Sequence, residues 1–172
     1  EGGSSSLQAK LQVSGTDFSS STINLQRYQT NVSSAAIAFN KSRNATQGSH
    51  TIIQNGDELG KLIFFGSDGN DFQNEGARII AKVDGTPGNN VMPGSLSFRT
   101  TPQGAVGSSE RLLITSAGVV SINDSTPEAF AALQVKNHTS YNAAAVLIHG
   151  ADMAQIVLRD ETGGTNTKCT TI

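Results

Sequence analysis

The apolar positions along this chain recur every second residue. Leu7, Ala9, Leu11 and Val13 alternate with Gln8, Lys10 and Gln12, the pattern of a half-buried strand. Ala77, Ile79, Ala81 and Val83 define one face of a second strand and Arg78, Ile80 and Lys82 the other. Leu96 and Phe98 stand between Ser95, Ser97 and Arg99. Lys61 to Phe65, Arg111 to Thr115 and Val119 to Ile122 are short apolar runs of strand length. Between them lie Asn55-Gly56, Asp68-Gly69, Asp84-Gly85, Pro87-Gly88, Pro93-Gly94 and Ala117-Gly118. Short strands separated by such dipeptides predict an all-β chain. Asn55-Gly56, between Ile52-Ile53 and Leu59, suits a type I′ hairpin turn. The one stretch with modest helix preference is Pro127 to Leu133, where Thr126-Pro127-Glu128 would suit a single turn.

A weak repeat overlies this pattern. Leu11-Gln12-Val13 returns as Leu133-Gln134-Val135, Ser34 to Phe39 has its counterpart in Ala143 to Ile148, and Leu62 to Gly69 in Ile156 to Gly163. The order predicts a connecting segment at 1–10, a β-rich module over 11–132 and the start of a second, incomplete module at 133–172. The chain begins at Glu1 without an initiator Met, which reads as a processed or partial product.

Composition sharpens the reading. Ser, Thr, Asn and Gly supply 67 of the 172 residues, and Leu, Ile, Val and Phe only 40. The net charge of −2 argues against disorder, so the chain folds, with little material for a core of its own. A partner chain is the natural source of the missing burial. No apolar run is long enough to insert in a membrane. Twelve basic residues dispersed among fourteen acidic ones make no nucleic-acid surface. A single cysteine, Cys169, excludes an internal disulfide framework; it is either a free thiol or an interchain bridge.

An ordered series of strings, covering roughly residues 11 to 136, resembles a known module. Asn55-Gly56-Asp57-Glu58-Leu59-Gly60 and Phe65-Gly66-Ser67-Asp68-Gly69 open it. Val83-Asp84-Gly85-Thr86-Pro87-Gly88 and Met92-Pro93-Gly94-Ser95-Leu96-Ser97-Phe98-Arg99-Thr100-Thr101 continue it. Glu110-Arg111-Leu112-Leu113-Ile114-Thr115-Ser116-Ala117-Gly118-Val119-Val120-Ser121-Ile122 closes it. The series is similar to tail-fibre and other virion appendage proteins of marine and cyanobacterial bacteriophages. Its last string resembles the segment that often precedes an intramolecular chaperone domain of the endosialidase type. Where that family has Gly-Ile-Gly, this chain has Ser121-Ile122-Asn123.

The resemblance implies an elongated homotrimeric fibre segment, partnered by two further copies of itself, by other virion tail proteins and by a host cell-surface glycan or protein. Its place would be the virion, outside the cell. Glycines 56, 60, 66, 69, 85, 88, 94 and 118 would make the turns. Leu62, Phe64, Ile79, Leu96, Phe98, Leu112 and Ile114 would form the core shared by the three chains. Glu110 and Arg111 point to opposite faces of a regular strand, so both cannot face the axis; they read either as an ordinary solvated pair or as a pair of which one member reaches across a chain boundary and sets register. A cellular adhesin or filament subunit, and less readily a glycan-cleaving domain, are the other readings.

Chemistry is sparse. Asp68-Gly69-Asn70-Asp71 with Glu75 nearby fails the EF-hand spacing, because Phe72 and Gln73 fill its fifth and sixth places. Asp68 and Asp71 therefore read as turn carboxylates, with a cation site of another type as the alternative. His50, His138 and His149 lack zinc-ligand spacing. Asp57, Glu58, Asp68 and Asp71 fall in turn-like strings, and with no Trp and only Tyr28 and Tyr141 a sugar groove lacks stacking surfaces. Gly107-Ser108-Ser109-Glu110 lacks the second glycine of a nucleophile elbow. These residues predict no enzyme, no cofactor and no metal. Four Asn-x-Ser/Thr sites, at Asn31, Asn44, Asn123 and Asn137, are expected by chance in so polar a chain.

Overall fold

A computed structural model describes residues 9–129 and 131–136. It contains six strands: β1 (Glu58–Gly66), β2 (Asn74–Val83), β3 (Gly94–Thr100), β4 (Ser109–Ile114), β5 (Val120–Ile122) and β6 (Leu133–Val135). They form one sheet in chain order, antiparallel from β1 to β5 and parallel between β5 and β6. No described residue is helical. The chain divides after Lys136 into two units, so β6 belongs with the sheet. The repeat landmarks at 143–148 and 156–163, together with His138, Tyr141, His149 and Cys169, lie outside the described residues.

The register carries the apolar alternation across the whole sheet. Leu62, Ile79, Phe98, Leu112, Ile122 and Val135 are successive cross-strand partners. Beside them run Gly60, Ala81, Leu96, Ile114, Val120 and Leu133. Phe64, Ala77 and Thr100 extend the β1 to β3 end. All these residues share one face, because side chains opposite one another in a ladder point the same way.

The other face carries Lys61, Arg78, Lys82 and Arg99, interspersed with Ile63, Ile80, Ser97, Leu113, Ser121 and Gln134. Three β-bulges keep the acids on this charged face. Leu59, Gly76 and Arg111 are extra residues in their ladders, so Glu58 pairs with Lys82, Glu75 with Phe65 and Glu110 with Arg99. By plain alternation each glutamate would share a face with Leu62, Ile79 or Leu112. One additional residue re-aims each of them.

Several local expectations change. The strand expected at Leu7 to Val13 is absent over its described part, and Leu11 is 76% exposed. Alternation marks a face that wants burial, but the ladder needs a neighbour, and the described residues supply none there. The same tripeptide at Leu133–Val135 has β5 beside it and forms β6. Of Asn55 and Gly56 only Gly56 takes a positive φ, 85°, and Asp57 N–H closes the turn onto Gln54 C=O. That is the pattern of a type II rather than a type I′ turn.

The described residues of Pro127 to Leu133, 127–129 and 131–133, are loop and strand start, not helix. The Glu128 N–H is taken by the Gln134 side chain, and the Ala132 carbonyl by the Val120 N–H of the ladder. Asn123, standing where the resembled family has glycine, adopts φ 62°. Asparagine tolerates this left-handed conformation better than most residues, so the turn survives the replacement.

Candidate interaction face

Two observations about the sheet faces point in opposite directions. On the charged face Ile80, Ser97 and Ser121 are buried within the chain. Asp124 contributes to this cover: Ser121 Oγ donates to its carbonyl at 2.8 Å, and Gln134 Nε2 donates to its carboxylate at 2.7 Å. Ion pairs complete it, Glu58 with Lys61 at 2.9 Å, Glu75 with Arg78 at 3.3 Å and Glu110 with Arg99 at 3.9 Å. The Lys61 hydrogen bond, helped by the fields of Lys82 and Arg78, lowers the Glu58 pKa.

The apolar face is open. Leu62 is 48% exposed, Phe64 56% and Leu133 62%, and Phe98, Ile114 and Ile122 are also exposed. All seven residues expected in a shared core, Leu62, Phe64, Ile79, Leu96, Phe98, Leu112 and Ile114, occupy this face. Ala77, Ala81, Val120, Ile122, Leu133 and Val135 join them. The repeated Leu-x-Val and the alternation of Val120 and Ile122 were the signals for the last four. An apolar surface this continuous is uncommon on a chain that works alone.

At the β1 end the face forms an apolar groove of about 290 Å³, lined by Phe39, Leu59, Lys61, Leu62, Ile79 and Leu96 among others. Phe39 arrives from the segment before the sheet and lies directly over Gly60. A Cβ on Gly60 would come 2.5 Å from Phe39 Cβ and 2.6 Å from its Cγ. Gly60 thus lies within β1, not in a turn, and its role is close approach.

The other expected turn glycines separate into two groups. Gly56, Gly69, Gly85 and Gly118 have positive φ. Gly66 closes β1 and Gly94 opens β3. Gly88 bridges Val91 in a tight turn, where Asn90 takes the positive φ of 58°.

A second anchor holds the preceding segment to the sheet end. Arg43 donates from Nε and Nη2 to the two Asp57 oxygens at 2.6 and 2.7 Å. Asp57 also accepts from the Gln54 N–H, and its main-chain carbonyl accepts from the Val83 N–H. The guanidinium beside it, and then the Gln54 N–H, hold the Asp57 carboxyl far below the usual range. Ile53 is buried close by in sequence. Nothing in the spacing of Arg43 and Asp57 announces this pair.

The remaining candidates have local roles. Asp68 accepts from the Asn70 and Asp71 N–H groups, which lower its pKa, and Asp71 accepts from the Gln73 N–H. Among the described residues no group of three or more His, Cys, Asp or Glu side chains could hold a metal ion, and no helix is long and apolar enough to cross a membrane. Arg111 Nε donates to Thr100 Oγ1 at 3.0 Å, at the margin of the apolar face. No protein-family model matches the chain, and no curated protein matches it.

Proposed function

We propose that this chain is a structural segment of a homotrimeric phage tail fibre or virion appendage, supporting attachment to a host cell-surface glycan or protein. The observation that carries the reading is the open apolar face, a thirteen-residue surface in one register of which Leu62, Phe64, Phe98, Ile114, Ile122 and Leu133 are exposed and the rest half-buried. Three such faces turned toward a common axis would make one core from three thin stripes. Phe98 alone, 38% exposed, would bury about 75 Å² more, worth about 2 kcal/mol per chain at about 25 cal/mol per Å². A few such residues match the whole stability of an ordinary domain, so the fold and the assembly would be one event.

The polar exterior, rich in Ser, Thr and Asn, keeps such a fibre soluble at a net charge near zero. The role is mechanical and multivalent: three identical surfaces raise the effective concentration of any weak host contact. Glu110 is engaged with Arg99 in its own chain. Arg111, hydrogen-bonded to Thr100 of its own chain, is the member we place beside the neighbouring chain, on its position at the margin of the apolar face alone.

Native mass decides between this reading and a self-sufficient domain. The fibre reading expects a species of three times 17.9 kDa that resists detergent until heated, and its loss in a Phe98→Asp chain. A cooperatively folding monomer overturns it.

A further inference from the structure

The segment before the sheet has the chemistry of a strand without a sheet. Among the described residues, none before Arg43 makes a backbone–backbone hydrogen bond. From Thr22 to Phe39 the only charged side chain is Arg27. Ile23 and Leu25 flank Asn24 and are 61% and 50% exposed. Ile37 and Phe39 repeat the pattern further on. Apolar side chains at alternate positions, with few charges and free backbone groups, are what a segment needs to add to another surface.

We infer that Ile23 and Leu25 of one copy dock in the apolar groove at the β1 to β3 end of a second copy, against Leu62, Ile79 and Leu96. This rests on the homotrimeric reading above and specifies what fills one part of the open face. Phe39 of the same segment already stands in that groove over Gly60, which shows that the arm's side chains suit it. In their own chain Ile23 and Leu25 stay exposed and do not line the groove, and reach allows a neighbour. Leu25 lies fourteen residues before Phe39, an extended span of about 46 Å, whereas six strands are only about 24 Å across. The arm is therefore long enough to leave its own sheet and cross to the next. Cyclic assembly then closes the contact, since each copy offers one arm and one groove.

The test uses the full chain with Leu25 replaced by the photocrosslinker benzoylphenylalanine, co-produced with a tagged copy lacking the probe. A second probe at Ile23 guards against a local effect of the substitution. Irradiation of the trimer should give a covalent species joining probe and tagged chains on a denaturing gel, with the crosslinked peptide falling within residues 58–100. A trimer whose crosslinks stay within one chain, or fall elsewhere, overturns the arm docking and leaves the fibre reading standing. A monomeric native mass overturns both.

Discussion

Glu110 meets Arg99 across β3 and β4 because Arg111 is an extra residue in the ladder. Were the same residues laid in a ladder without the bulge, alternation would carry Glu110 to the side of Leu112 and Ile114. The prediction separates backbone from side chain. Deleting Arg111 sets Glu110 directly before Leu112, so a regular ladder still holds it opposite Arg99, and the loss should stay near that of the Thr100 hydrogen bond, under about 1 kcal/mol per chain. Arg111→Ala keeps the bulge and loses the hydrogen bond to Thr100, so the assembled form should melt slightly lower, by under about 1 kcal/mol per chain. Native mass against concentration reads both. A much larger loss on deletion than in Arg111→Ala would show that the sheet needs the bulge itself.

The Arg43–Asp57 clamp predicts a pH window. The folded Asp57 pKa lies below its ordinary value, so the clamp contributes fully above the unfolded pKa, near 3.9, and is lost as pH falls toward the folded one. The Arg43 Nε–H resonance should therefore persist well below pH 4 before moving. At neutral pH, Asp57→Asn should speed tryptic cleavage after Lys41 and Arg43 severalfold while leaving the sheet amides protected. Unchanged cleavage would mean that the segment is held by Ile53 and Phe39 alone.

Much of the sheet was legible in the sequence, for a physical reason. Alternation at Ile79, Leu96, Phe98 and Leu112 is a local property, and cross-strand register makes it a common face without further information. The bulges were not legible: Glu58, Glu75 and Glu110 look like ordinary strand residues until the ladder shows one residue too many before the next pair. Leu11 to Val13 shows the opposite limit. Its alternation is as clean as that of Leu133 to Val135, but pairing depends on the neighbour, which the pattern does not encode. Gly60 was legible only as a glycine. Its contact with Phe39 joins residues twenty-one apart in sequence through a stretch that is mostly without regular secondary structure, where no period operates.

That contact yields the last prediction. Gly60→Ala puts a methyl group where Phe39 Cβ and Cγ now stand, while the β1 ladder itself accepts alanine readily. The clash falls on Cβ and Cγ, which a turn of the ring does not relieve, so the chain at Phe39 must shift and lose its seat, at a cost of about 1 to 3 kcal/mol. Phe39→Ala should cost a similar amount by emptying the groove. The two changes act on one contact, so the double variant should fall short of the sum of the single ones by about 1 kcal/mol in urea unfolding. Strict additivity would place Phe39 elsewhere in solution. It would also remove the seat that makes the groove a natural dock for the arm of a second copy.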